Sequence, residues 1–323
     1  MVRRLVLEDL RLVRMIHDLN ADVDGDILAF TVSKIADSLE DYERNIWIYD
    51  GKSLRQVTRG NSDFSPRILG GKGLVFLSRR GLGRDKPGVE VWHLPFDGGE
   101  PMRIAYIGGG VNDLRIVNGV MYFMSNVGPI QEDVKFVEDW PLWFNGRGFV
   151  HTFRSHLFSL DLSGAIRQVT SGDFDVNAYD VEPGGKRVAI AVSTNRFKPY
   201  RNEVWVINLE SGERYAVLSN YSVSAIKWSL DGKYLALVGN DLHRGFRSGR
   251  YFWSFLGSSV CFLHSFTCIP LLCLVSSFIA GALWVNPGNP AHACTALCQM
   301  FIAPTVSLSA KKPHLLQIAS LCM

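Results

Sequence analysis

Between Ala178 and Leu218 apolar and polar positions alternate with a period of two. Ala178–Val181 runs into a turn, Glu182-Pro183-Gly184-Gly185-Lys186. Arg187–Ser193 follows, with Val188, Ile190 and Val192 set against Arg187, Ala189 and Ala191. A polar loop leads to Glu203–Leu209, and a second turn, Glu210-Ser211-Gly212-Glu213, hands over to Arg214–Leu218. Period-two alternation, β-branched and aromatic residues, and Gly/Pro/Asp/Asn punctuation predict a four-stranded antiparallel meander. Its length is that of one propeller blade.

The unit recurs. Its first turn reappears as Asp24-Gly25, Gly70-Gly71, Asn118-Gly119, Gly184-Gly185 and Asp231-Gly232, at intervals of 46, 48, 66 and 47 residues. An apolar strand follows each turn: Ile27–Val32, Leu74–Leu77, Val120–Met124, Val188–Val192 and Tyr234–Val238. Third strands begin at Ile46, Val91, Leu157 and Val204, which is 22, 21, 39 and 20 residues after their turns. Two fourth strands share a tetrapeptide, Arg55-Gln56-Val57-Thr58 and Arg167-Gln168-Val169-Thr170. The fold expected is all-β: an incomplete, open β-propeller of four to five four-stranded blades. A β-sandwich is the competing arrangement, but it does not require four-strand units in a fixed internal order.

Two stretches stand outside the repeat. Leu7, Leu10, Val13, Met15–Ile16 and Leu19 recur at helical spacing, which predicts a short N-terminal helix within residues 5–19. The alternative there is an irregular strap closing the first blade. Blade three, residues 110–173, carries an excess between its second and third strands that contains Glu138-Asp139-Trp140-Pro141-Leu142-Trp143-Phe144-Asn145-Gly146-Arg147-Gly148-Phe149. Long aromatic loops on a rigid scaffold are places where binding sits. Trp140, Trp143, Phe144 and Arg147 are therefore the candidate contacts for a peptide or a partner domain. The competing role for the same aromatics is to cover the end of the propeller's own core.

Composition changes the picture at one place. Net charge is only +3, so no global basic field calls for nucleic acid. All 31 acidic residues lie at or before Asp241, no Asp, Glu, Lys or Arg occurs from Tyr251 to Ala310, and all six cysteines lie beyond residue 250. The third strand of blade five is due near residue 252, where this uncharged text begins. Composition thus divides the chain into a partial propeller, 1–250, and an atypical apolar C-terminal tail, 251–323. Three origins compete for the tail. One is a shifted reading frame or misjoined sequence. Another is a membrane anchor through 253–285, long enough to span although Pro270 interrupts it, with Arg244, Arg247 and Arg250 on the cytoplasmic side. The third is a zinc site at His292, Cys294 and Cys298, whose spacing lacks a second pair, so no metal is assigned. The cysteine-free body points to the cytoplasm, and the N-terminus, with Glu8 and Asp9, does not read as a signal peptide. The acidic loop Lys34–Arg44 and the basic loop Arg79–Lys86 read as solvated loops.

Residues 5–250 resemble the N-terminal propeller of the prolyl oligopeptidase family, in its acylaminoacyl-peptidase branch. The resemblance is carried by Leu7-Glu8-Asp9-Leu10, by Ala21–Gly25 leading into Ile27–Ser33, and by Asn45–Asp50. Phe144–Phe149, Ser155-His156-Leu157-Phe158 and Arg167–Asp175 extend it, and the family's Ser-Pro-Asp-Gly turn survives in part as Ser229-Leu230-Asp231-Gly232. The resemblance implies a propeller that caps an α/β-hydrolase domain and restricts access to oligopeptides. That domain would place its nucleophile on a G-x-S-x-G elbow. The pentapeptide is absent from this sequence, and nothing after residue 250 alternates strand with helix. The expectation is a chain truncated before the hydrolase domain, inactive by itself, with no catalytic, cofactor or metal residue to assign. A stand-alone propeller that binds a protein or peptide, of the WD-repeat or TolB-like kind, is the alternative.

Overall fold

The computed structural model describes residues 6–22, 25–83, 86–128, 142–144, 148–150, 153–195, 198–242, 251–256 and 259–264. The described residues up to Gly110 form one compact unit and those from Val111 onward form a second.

The first unit holds two four-stranded antiparallel sheets. One has the order β1 (Met15–Ala21), β2 (Leu28–Ile35), β3 (Tyr42–Tyr49), β4 (Leu54–Gln56). The other has β5 (Asp63–Ile68), β6 (Leu74–Ser78), β7 (Val89–Leu94), β8 (Met102–Ile107). These are blades one and two, each a simple meander. Their shared core is Ala29, Ile46 and Ile48 from the first against Leu74 and Phe76 from the second.

The second unit continues with β9 (Asn112–Val117), β10 (Val120–Val127), the hairpin β11 (Leu142–Phe144) and β12 (Gly148–Val150), β13 (Arg154–Leu160) and β14 (Ile166–Gln168). Among the described residues the hairpin pairs with itself, while the sheet order β14-β13-β10-β9 makes blade three. Seven strands follow in sequence order: β15 (Asp175–Val181), β16 (Arg187–Ser193), β17 (Asn202–Asn208), β18 (Arg214–Trp228), β19 (Leu235–Asp241), β20 (Tyr251–Leu256) and β21 (Ser259–His264).

The period-two pattern explains the packing. In β16 the branched side chains Val188, Ile190 and Val192 join Tyr122, Met124 and Leu157 of blade three. The alanines between them, Ala189 and Ala191, join Ile226, Trp228, Leu235 and Leu237 on the opposite side. A strand buried on both faces carries bulk toward one neighbour and lets the other approach closely.

The recurring turns close alike. The amide of Gly185 donates to the carbonyl of Glu182 at 2.8 Å, and that of Gly232 to Ser229 at 3.0 Å. Both glycines have positive φ, 72° and 67°, which a side chain would strain. The shared tetrapeptide also does one job twice. Thr58 Oγ1 accepts from the amide of Ile46 at 3.0 Å, and Thr170 Oγ1 from Leu157 at 2.9 Å. Gln56 and Gln168 each donate to the carbonyl two residues on, at 2.7 and 2.8 Å. The fourth strand is only three residues long, so the threonine hydroxyl takes over where the ladder stops.

Three expectations are corrected or sharpened. The helix expected within 5–19 is only a 3-10 helix, Leu7–Leu12, after which Met15–Ala21 is a strand. Leu10, Val13, Met15, Ile16 and Leu19 are exposed, so a helical stripe there would have no core to face, whereas pairing with β2 satisfies the backbone. Blades four and five are not separate sheets, because β18 runs through both. Tyr221 pairs with Asn202 on one side and Asp241 on the other, next to Asn220 at φ 65°. Finally, β20 begins at Tyr251, one residue from the position counted for the third strand, and pairs with β19. The compositional boundary at residue 250 therefore falls between two paired strands. Among the described residues no helix is long and apolar enough to cross a membrane.

Candidate functional site

The first strand of every blade carries an irregularity in its pairing with the second. The breaks lie between His17 and Asn20, between Phe64 and Arg67, opposite Tyr122–Met124, between Val176 and Ala178, and between Val223 and Ala225. Three of the residues involved, Asp18, Ser65 and Asp113, hold positive φ of 55°, 51° and 52° without being glycine. Such conformations cost free energy and gather where a side chain must be re-aimed.

In the first unit two of these bulges meet at a cleft of about 340 Å³ lined by Met15, His17, Asp18, Thr31, Ser33, Tyr42, Arg44 and Phe64. Register explains most of this lining. Met15 pairs with Ser33 and Ser33 with Arg44, His17 pairs with Thr31, and Tyr42 pairs with Ile35. Paired residues project on one face, as do residues two apart. Met15, His17, Thr31, Ser33, Tyr42 and Arg44 therefore share one face of blade one. In a regular strand Asp18 would turn away from that face. The bulge after His17 lets two consecutive residues line the same cleft.

The floor of the cleft is buried hydroxyl: Thr31 is 1% exposed and Ser33 3%. Asp18 Oδ2 accepts from Thr31 Oγ1 at 3.4 Å and from the amide of Ser65 at 3.3 Å, which ties the two bulges together. Arg44 lies over the Phe64 ring, 5.8 Å from its centroid, within cation–π range. No carboxylate forms an ion pair with Arg44 among the described residues.

Part of this polar row recurs, since Ser33 matches the buried Ser193 of β16, but Thr31 does not. Counting from the turn glycine, Thr31 of β2 corresponds to Ala191 of β16, and Ala29 to Ala189. On the third strands, Ile46 pairs with Thr31 as Val204 pairs with Ala191. In blade four those positions belong to a dry core with Ile226 and Leu237. In blade one the same face is apolar at Ala29, Ile46 and Ile48, then turns polar toward Ser33 and Arg44.

The second unit has a charged network of a different kind. Asp180, 2% exposed, accepts from the amide of Trp228 at 2.7 Å, from Lys227 Nζ at 3.3 Å and from Arg115, while its carbonyl accepts from Trp228 Nε1 at 3.1 Å. Arg115 also stacks over Tyr179 at 5.0 Å. Every donor to Asp180 is a protein group from blade three or blade five. The arrangement staples blades. Nearby, the Arg187 guanidinium holds the Glu182 carboxyl below the usual carboxylate range. Burial pushes His156 below the usual imidazole range, so it packs as a neutral ring against Phe174 and Thr170.

Of the four aromatic and basic candidates drawn from sequence, Trp140 and Arg147 lie outside the described residues. Trp143 and Phe144 lie on β11, where Trp143 pairs with Phe149 and Phe144 with Gly148. The cleft residues escaped the sequence reading because alternation assigns His17 and Asp18 to opposite faces. Arg44 was counted with the acidic loop before it. The available signal was a hydroxyl at Thr31 where the matching position of blade four is Ala191.

Residues 99–255 match the model of the acylaminoacyl-peptidase N-terminal beta-propeller domain. The match enters the first unit at its last strand and runs into β20. No curated protein matches the sequence. Among solved structures, an acylaminoacyl peptidase in complex with Z-Gly-Gly-Phe-chloromethyl ketone superposes with a TM-score of 0.61 at 15% identity. It is covered over 39% of its length by 77% of this chain. The uncomplexed acylaminoacyl peptidase of Pyrococcus horikoshii gives a TM-score of 0.61 at 14% identity, over 78% of this chain and 40% of that one. The β-propeller domain of the trilobed protease from Pyrococcus furiosus, which has an open velcro topology, gives 0.54 at 13% identity, over 77% and 70%. At such identities the likeness shows the fold, a β-propeller. This chain spans 39–40% of the length of the two acylaminoacyl peptidases.

Proposed function

We propose that this chain serves as the non-catalytic propeller portion of an acylaminoacyl-peptidase-like serine peptidase. In this reading the propeller governs which peptides reach the nucleophile of a hydrolase domain. The observation that carries the reading is the match of residues 99–255 to the family's propeller domain. The absence of a G-x-S-x-G pentapeptide from the sequence supports the non-catalytic part, since covalent acyl transfer needs an activated nucleophile. The hairpin bearing Trp143 and Phe144, with Trp140 and Arg147 beside it in sequence, is the proposed contact for peptide or hydrolase domain. The cysteine-free stretch through residue 250 supports a reducing, cytoplasmic setting.

The test is release of p-nitroaniline from acetyl-alanine p-nitroanilide by the purified 323-residue chain. No turnover above buffer is expected. Turnover that a serine-directed covalent inhibitor abolishes would overturn the non-catalytic reading.

A further inference from the structure

We infer that the cleft between blades one and two is a binding site for a small zwitterion of the free-dipeptide type. Asp18 would receive the ammonium end and Arg44 the carboxylate end. The inference does not depend on the peptidase reading, since it concerns a ligand held by the propeller itself.

Four observations on one face carry it. First, the cleft holds both signs of charge, and the two charges come from strands on opposite sides of β2. A ligand bridging them needs both signs as well. Second, neither charge is consumed by the fold. Arg44 has no ion-pair partner among the described residues, and its guanidinium rests on Phe64, which leaves its N–H edge for a carboxylate. Asp18 uses Oδ2 for Thr31 and Ser65, and no hydrogen bond to its Oδ1 occurs among the described residues.

Third, the remaining lining suits the middle of such a ligand. Ser33 places a buried hydroxyl at the floor, able to donate to or accept from a peptide unit, Thr31 gives its proton to Asp18, and Met15 and Phe64 supply apolar walls. A volume of about 340 Å³ lies at the small end of ligand sites, which run from about 300 to 1,000 Å³. Fourth, Asp18 faces the cleft only because the chain adopts φ 55° at a non-glycine residue, and Ser65 across from it does the same at 51°. Blade four has Ala191 where blade one has Thr31, and Asn202 in line with Arg44, so the hydroxyl of Thr31 and the charge of Arg44 are what blade one adds to a polar end that both blades share.

The experiment titrates the full chain with alanyl-leucine, its N-acetyl form and its C-terminal amide, by calorimetry and by amide chemical shifts. The variants are Asp18→Asn and Arg44→Gln. Asn tolerates the left-handed conformation and keeps an oxygen for Thr31 and Ser65, so Asp18→Asn preserves the bulge. The free dipeptide is expected to bind, and each blocked form to bind about 10- to 100-fold more weakly, the loss of one charge-assisted contact. Arg44→Gln should erase the discrimination between acid and amide while keeping that between free and acetylated ammonium. Asp18→Asn should do the reverse. Unchanged circular dichroism and melting temperature would show that both variants are folded. The inference is overturned if the wild-type chain does not bind the free dipeptide at millimolar concentration. It is equally overturned if blocked and free forms bind alike, or if either folded variant keeps both discriminations.

Discussion

Replacing Thr58 by valine would test whether the repeated Arg-Gln-Val-Thr segments are structural caps. Thr58 is 3% exposed and its hydroxyl is the acceptor for the amide of Ile46, a residue with no exposed surface. Valine keeps the shape and removes the acceptor. A buried donor left unpaired costs about 1–3 kcal/mol. Serine keeps the oxygen and loses one methyl, about 0.8 kcal/mol by area. The expected order of stability is therefore wild type, Thr58→Ser, Thr58→Val. Thr170→Val should repeat the loss at Leu157, toward the upper end, because His156 Nδ1 also lies 3.3 Å from that hydroxyl. Urea unfolding followed by tryptophan fluorescence reads the change. With slopes of about 1–3 kcal/mol per molar, the midpoint should fall by on the order of 1 M. Amide hydrogen exchange adds a local reading: Thr58→Val should accelerate Ile46 and leave Leu157 protected, and Thr170→Val the converse. A Thr58→Val protein as stable as wild type, with Ile46 still protected, would refute the capping argument.

Two further outcomes follow from the second unit. Asp180→Ala should destabilise by about 1–3 kcal/mol, because it leaves the buried amide of Trp228 without its acceptor, whereas Arg115 keeps Asp113 and the half-exposed Lys227 stays solvated. A double-mutant cycle with Arg115→Met should show coupling, and strict additivity would refute it. Glu182 titrates below its ordinary value because Arg187 stabilises the carboxylate, so its contribution is full above the unfolded pKa of about 4.3 and is lost as pH falls through the folded value. Glu182→Gln should accordingly flatten the acid limb of a stability–pH curve below about pH 4.3, with little change in slope above it. An unchanged acid limb would remove Glu182 from the account.

Much of the fold was legible because blades repeat. Turns with a glycine at positive φ recur in step with apolar strands, and the offset from turn to third strand placed β20 within one residue although its text is uncharged. What alternation could not reveal is wherever the pairing breaks period two. Met15–Ala21 has five exposed residues in a row, two half-buried residues at its C-terminal end and a bulge, so its 3.6-residue coincidences looked helical. The junction of blades four and five was invisible for a related reason. Ser219 and Asn220 look like a loop in sequence, yet the backbone stays extended enough to serve β17 and β19 in turn. The cleft suffered most, since its key pair of neighbours, His17 and Asp18, shares a face only through the bulge.

The apolar and polar ends of blade one also divide labour along single strands. In β2 the residues facing blade two read Ala29, Thr31, Ser33, and in β3 they read Ile48, Ile46, Arg44. The first members of each series lie in the core with Leu74 and Phe76 and hold the two blades together. The last members open the cleft against Phe64. Side chains on a pleated strand advance by about 6.6 Å for every second residue, so the switch from dry contact to polar recess takes about one such step. Blade four makes the same switch, since Ala191 and Val204 give way one step on to Ser193 and Asn202, both buried, in line with Ser33 and Arg44. At these positions blade one departs in polarity from blade four only in Thr31 for Ala191 and in the charge of Arg44, and those two departures are what the proposed zwitterion would use.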